Sequence, residues 1–109
     1  MARGLTRGSI YLVRFPPPDK ERPALVLTRS SVLSVLHRVT VAPITSTIRG
    51  IPTEVVLTEE DGMKRPCAVN LDNVVTIHQR LLGRSVGSLS ALQMRRVCAA
   101  LAFAMGCDG

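Results

Sequence analysis

Glu21-Arg22-Pro23-Ala24-Leu25-Val26-Leu27-Thr28 and, after a polar stretch, Val39-Thr40-Val41-Ala42-Pro43-Ile44-Thr45-Ser46-Thr47 decide how this chain folds. Both runs are rich in branched apolar residues and read as strands. Ala24-Leu25-Val26-Leu27 is apolar without interruption, which predicts burial on both faces. Each run carries one polar group at an end: Arg22 just before the first, Thr45 just after the second. A guanidinium fork beside a hydroxyl is suited to gripping a phosphodiester.

Working outward, Ser9 to Phe15 reads as a first strand, and Pro16-Pro17-Pro18-Asp19-Lys20-Glu21 ends it because prolines cannot continue a ladder. Pro23 to Thr28 is the second strand. Ser30 to Leu36 is either a helical turn opened by a serine cap or a loop. Arg38 to Ile44 is the third strand, followed by a polar connection from Thr45 to Pro52 that contains Arg49-Gly50. Thr53 to Leu57 is the fourth, Glu59 to Gly62 a turn, and Cys67 to Val69 and Val74 to Ile77 the fifth and sixth.

The period then changes. Ser90-Ala91-Leu92-Gln93 has the form of a capping box opening a helix that runs to Met105, with Gly106 suited to a left-handed cap. Leu92, Val97, Leu101 and Ala104 are expected on one side, with Gln93, Arg95 and Arg96 as a polar patch. Beyond Arg96 the helix is apolar all round, which predicts burial on a second side, most simply in a homodimer. Short strands followed by a terminal helix indicate one α+β domain over residues 1–109. Its form is mainly β: a small twisted sheet or partly open barrel of about six strands with a C-terminal helix.

A chain of 109 residues with 46% hydrophobic content is long enough for one core. No apolar run reaches the roughly 18 residues that span a bilayer. The basic segment Met1 to Arg7 leads into a strand without a signal-peptide core, so the expected location is the cytoplasm, with no membrane contact. Cys67, Cys98 and Cys107 are odd in number and lack metal-ligand spacing. They read as reduced, apolar side chains, Cys98 in the helix above all. His37 and His78 are distant in sequence, so neither a metal nor a cofactor is expected.

Net charge is +6, and twelve of the fourteen basic residues are arginine. Such a surface favours nucleic acid or an acidic protein. With three aromatic residues and no tryptophan, successive bases cannot all stack on aromatic platforms. A nucleic-acid grip must rest on arginine, hydroxyls and backbone. The motifs of triphosphatases, dinucleotide enzymes, zincins and hydrolase-fold enzymes do not occur.

Several pieces, in order and spacing, match one pattern. They are Arg7-Gly8-Ser9-Ile10-Tyr11, Arg22-Pro23-Ala24-Leu25-Val26-Leu27, Ala42-Pro43-Ile44-Thr45-Ser46, Pro52-Thr53-Glu54-Val55, and Leu71 to Ile77 followed by Arg80-Leu81. Over nearly its whole length the chain thereby resembles the MazF/PemK/Kid family of bacterial ribonuclease toxins. The resemblance implies an SH3-like barrel working as a homodimer. It also implies metal-independent cleavage of single-stranded RNA at short sequences and control by a cognate acidic antitoxin.

On the same resemblance, the catalytic candidates are Arg22, Thr45 and Asp72. Arg22 would stabilise the phosphorane, Thr45 would donate to a nonbridging oxygen, and Asp72 would serve as a base or contact a nucleobase. Candidates for RNA contact are Arg14, Lys20, Ser46, Thr47, Arg49, Asn73 and Arg80. Two departures from the family pattern stand out. The loop before the arginine is proline-rich and short where many members have a glycine-rich acidic one, and Asp72-Asn73 replaces an acid-glutamine pair. Ordinary readings exist beside these: Thr45 and Ser46 as turn hydroxyls, and Asp72-Asn73 as an Asx-turn. The competing functions are a CcdB-like toxin that poisons DNA gyrase and a non-catalytic RNA-binding module.

Overall fold

The computed structural model describes residues 5–18 and 20–107. The basic Met1–Gly4 segment, Asp19 in the proline-rich turn, and residues 108–109 lie outside the described residues. Among the described residues, seven strands and one α-helix follow in the order β1 (Ser9–Arg14), β2 (Glu21–Val26), β3 (Arg38–Thr45), β4 (Glu54–Leu57), β5 (Cys67–Asn70), β6 (Val75–His78), β7 (Leu82–Ser88) and α1 (Ala91–Ala104). The first six are the expected strands, with ends shifted by one or two residues. The ambiguous stretch after β2 resolves into a 3-10 turn at Ser30–Val32. β7 was not expected.

All pairings are antiparallel. The sheet runs β4-β5-β3-β2-β1-β7, with β6 also on β3. No ladder joins β6 to β7, so the sheet is open rather than a closed barrel. β3 organises it: one edge pairs with β2, and the other pairs first with β6 over 38–41 and then with β5 at 44–45.

The uninterrupted apolar run at Ala24–Leu27 is buried throughout, because the sheet is covered on both sides. Ile10, Leu25, Ala42 and Ile44 face one core shared with Val69, Leu71 and the helix residues Met94, Val97 and Ala100. Their strand neighbours Tyr11, Val13, Ala24, Val26 and Val41 face a second core closed by Leu33, Ile77 and Leu82. This is the period-two alternation of a strand with two apolar sides.

Helix α1 departs from expectation in three ways. Ser90 caps it by accepting the Gln93 amide at 3.2 Å. The Gln93 side chain does not reach back, however; its amide donates to Asp61 Oδ1 at 3.0 Å. The capping box is instead at Thr58–Asp61, where Asp61 Oδ2 accepts the Thr58 amide. The inward face is Gln93, Met94, Val97 and Ala100, with Leu101 and Ala104 half-buried, while Leu92 is exposed. Cys98, one position past Val97 and so about 100° round the helix, is also exposed. Its sulfur accepts from the Arg7 guanidinium at 3.0 Å. Cys67 is the cysteine that behaves as a buried apolar residue. The helix ends as expected: Gly106 has φ +72°, and the Cys107 and Gly106 amides bond back to Ala102 and Phe103.

Candidate active site

Arg22 and Thr45 are placed by strand register. β2 and β3 pair Ala24 with Pro43; the same register carried two residues further sets Arg22 opposite Thr45. At that point β3 turns to pair with β5, Thr45 lying against Ala68, so the strands open and the Arg22 side chain is exposed. It makes no side-chain hydrogen bond or ion pair with any other described residue. The Thr45 hydroxyl accepts the Thr47 amide at 3.1 Å, which leaves its proton free to donate.

Two clefts meet at this pair. The larger, about 560 Å³, is bordered by Arg22, Thr45 and Ser46 together with Lys64, Arg65 and Arg84; Leu12, Ile44, Met63 and Val86 form its apolar wall. The smaller, about 240 Å³, is bordered by the same Arg22 and Thr45 with Thr47, Arg49, Glu54, Asn70 and Asn73. Glu54 holds the Thr47–Gly50 loop from below: its Oε1 accepts the Arg49 amide at 2.9 Å and the Gly50 amide at 3.1 Å.

Six of the expected residues, Arg22, Thr45, Ser46, Thr47, Arg49 and Asn73, thus converge. Asp72 does not join them in either lining. Its Oδ2 accepts the hydroxyl of buried Thr53 at 2.6 Å, and its amide donates to Asn70 Oδ1 at 2.9 Å. Arg14 and Arg80 border a separate cleft of about 230 Å³ with Glu21, and Lys20 is exposed and borders none of these clefts.

Lys64, Arg65 and Arg84 were not singled out from the sequence. Lys64-Arg65 is a basic pair directly after the Gly62-Met63 turn, a weak but readable signal. Arg84 carried no signal, since its strand was not recognised.

The structure also unites His37 and His78, whose rings stack with centroids 6.3 Å apart. His78 is held below the usual imidazole range by desolvation, then by the charges of Arg80, Arg38 and His37. Its Nδ1 accepts the Arg80 amide at 3.2 Å. Among the described residues no cluster of three or more His, Cys, Asp or Glu side chains is arranged to hold a metal. No helix among them is long and apolar enough to cross a membrane. Cys67, at the floor of the larger cleft, is pushed above the usual thiol range by burial and then by Asp61.

Known proteins match this arrangement closely. The chain is 44% identical over 90 residues to Endoribonuclease MazF3 of Mycobacterium tuberculosis, covering 83% of this chain and 87% of that one. It is 42% identical over 88 residues to Probable endoribonuclease MazF5 of the same organism, covering 80% and 81%. Among solved structures, Mycobacterium tuberculosis toxin MazF-mt6 superposes with a TM-score of 0.85 at 40% identity over 93% of this chain and 99% of that one. A mycobacterial endoribonuclease solved in complex with its cognate antitoxin superposes with a TM-score of 0.84 at 27% identity, covering 94% and 96%. These matches favour the ribonuclease reading over a CcdB-like gyrase poison. The sequence profile of the PemK-like, MazF-like toxins of type II toxin–antitoxin systems fits residues 6–105, and the chain belongs to that family.

Proposed function

We propose that this chain is the endoribonuclease toxin of a type II toxin–antitoxin pair, cutting single-stranded RNA in the cytoplasm at a preferred sequence without a metal. The observation that carries this reading is the Arg22–Thr45 pair, two donors that give no side-chain hydrogen bond to another described residue, where two clefts meet. A chain threaded through both clefts would lay one phosphate on that pair.

In the proposed reaction the ribose 2′-oxygen forms a bond to the adjacent phosphorus and the bond to the 5′-oxygen breaks. The products are a 2′,3′-cyclic phosphate and a 5′-hydroxyl. Arg22 presents its fork to the phosphorane as negative charge grows on it, and the Thr45 hydroxyl donates to a nonbridging oxygen. Arg22 stays protonated and cannot take the 2′ proton, and Asp72 stands outside both clefts; the proton passes to solvent, and solvent returns one to the departing 5′-oxygen to give the 5′-hydroxyl. Asp72 instead acts as a positioning residue. Its bonds to Thr53 and Asn70 fix the turn that carries Asn70 and Asn73 into the smaller cleft. Ser46, Thr47 and Arg49 contact the RNA beside Thr45, while Arg14, Lys20 and Arg80 act farther along the strand.

The working form is a homodimer, and the controlling partner is an acidic antitoxin lying over the Arg22 clefts. Incubating purified protein with single-stranded RNA in EDTA, then mapping the ends, tests the chemistry. Cyclic phosphate or 3′-phosphate ends and 5′-hydroxyl ends are expected. Ends bearing 5′-phosphate, or a need for magnesium, overturn the proposed mechanism.

A further inference from the structure

The two clefts that meet at Arg22 and Thr45 differ in chemistry. The larger has four cations at its border, Arg22, Lys64, Arg65 and Arg84, and no carboxylate among the described residues. None of the four makes a side-chain hydrogen bond or ion pair with another described residue. Apart from the hydroxyls of Thr45 and Ser46, the rest of its wall is apolar, with Leu12, Met63 and Val86 prominent. Such a surface holds phosphate and lies against the face of any base. It has little with which to tell one base from another.

The smaller cleft is built for discrimination. It carries both donors and acceptors: the Thr47 hydroxyl, the Arg49 guanidinium, the Asn70 and Asn73 amides, and the Glu54 carboxylate. Asn70 Oδ1 and Glu54 Oε1 are already engaged by backbone amides, which fixes the orientation of both side chains. Asn70 then has its NH2 left to donate, and Glu54 has Oε2 left to accept. The Glu54 carboxylate offsets part of the charge of Arg22 and Arg49 in that lining and suits the exocyclic amino group of a base. Its volume, about 240 Å³, falls below the roughly 300–1,000 Å³ of drug-sized sites and fits one nucleobase better than a longer segment.

Building on the ribonuclease reading above, we infer that the two clefts divide the work of RNA recognition. The Thr47–Glu54–Asn70–Asn73 cleft reads the edge of the base on one side of the scissile phosphate. The Lys64–Arg65–Arg84 cleft grips the strand on the other side without reading it. Single-stranded RNA is recognised in just these two currencies, base-edge hydrogen bonds and phosphate contacts.

Two measurements on the same variants test the division. The first is cleavage of a randomised RNA pool, which reports sequence preference. The second is binding of a 2′-deoxy-substituted, uncleavable RNA across a salt series, which counts phosphate contacts. Lys64→Ala, Arg65→Ala and Arg84→Ala should each weaken binding to every sequence alike. Each should also reduce the slope of log affinity against log salt by about 0.7, with the preferred sequence unchanged. Asn73→Ala should keep the salt slope and relax preference at one base position by about tenfold. Asn73→Asp should alter which base is preferred there, because it exchanges a donor for an acceptor.

The reverse pattern overturns the inference: cation variants that change base preference at constant salt slope, or Asn73 variants that weaken all sequences equally with preference intact. Failure of the underlying reading looks different, since the parent protein would then cleave no RNA at all, and the division of labour falls with it.

Discussion

The Thr45 hydroxyl accepts the Thr47 amide, ordinary behaviour for a threonine in a turn, and that same bond leaves its proton for a phosphate oxygen. The two readings of this residue that its sequence context allowed are therefore compatible. Arg22 is simpler: an exposed guanidinium without a described protein partner contributes little to folding. Arg22→Ala should lower single-turnover cleavage by on the order of 10²–10³, with an unchanged circular dichroism spectrum and melting temperature. Arg22→Lys should recover little, because one ammonium cannot replace the fork. Thr45→Val keeps β-branching and removes the donor, so a smaller loss of rate is expected. A folded Arg22→Ala protein that cleaves at the parent rate would remove Arg22 from the mechanism. Cys67 makes a second prediction. Burial raises its pKa, so the folded state holds the thiol proton more tightly than the unfolded chain does. That contribution to stability is complete below the unfolded thiol's pKa and is lost as pH rises through the folded value, from about pH 9 upward. Cys67→Ala should flatten the fall in stability measured by urea denaturation between pH 8 and about pH 10. An equal fall in both proteins would show that Cys67 does not contribute to it.

Strands announced by apolar runs were legible in the sequence; the strand held by pairing alone was not. Leu82-Gly83-Arg84-Ser85-Val86-Gly87-Ser88 is exposed at every position after the first and has two glycines, so neither alternation nor propensity marks it. It forms because β1 pairs with β2 on one edge and needs a partner on the other. Missing β7 also hid Arg84, and with it one of the four cations of the larger cleft. The same limit applies to the clustering of His37 with His78, which depends on β3–β6 register rather than on spacing along the chain. By contrast, the meeting of Arg22 and Thr45 was readable, because both flank runs whose burial forces them side by side. Helix α1 was legible in its extent but not in its facing, since a helix apolar nearly all round does not show which side turns inward. The β1–β7 contact can be tested directly. A Cβ on Gly83 would lie 3.2 Å from the Leu12 carbonyl oxygen, whereas one on Gly87 would meet nothing within 4 Å. Gly83→Ala should therefore destabilise the fold by about 1 kcal/mol or more, and Gly87→Ala should be close to neutral in the same denaturant titration. Equal effects would mean that β7 does not sit tightly on β1.

Across the whole molecule, charge and apolar surface point to different partners. Leu92 and Phe103 on α1 and Met105 just after it are exposed, as is Val56 on neighbouring β4. Part of this surface forms a groove of about 580 Å³ between Val56 and Phe103. An apolar surface of this kind suits a second copy of the chain, and sedimentation at micromolar concentration should show a dimer rather than an 11.8 kDa monomer. Two chains carry 2 × 6 = 12 net positive charges. The segment that silences them should be acidic, and extended when free, so that it can follow both clefts at Arg22. Its association should slow steeply as salt rises, because screening removes the long-range attraction. Occlusion makes a stricter demand than attraction does. If the segment lies over Arg22 and Thr45, it and RNA cannot be bound to the same site together. Titrating an acidic cognate peptide against a bound, uncleavable RNA should release the RNA, with apparent peptide affinity falling as RNA concentration is raised. A ternary complex with both affinities intact would place the inhibitor elsewhere and require that it act through the fold rather than by covering the site.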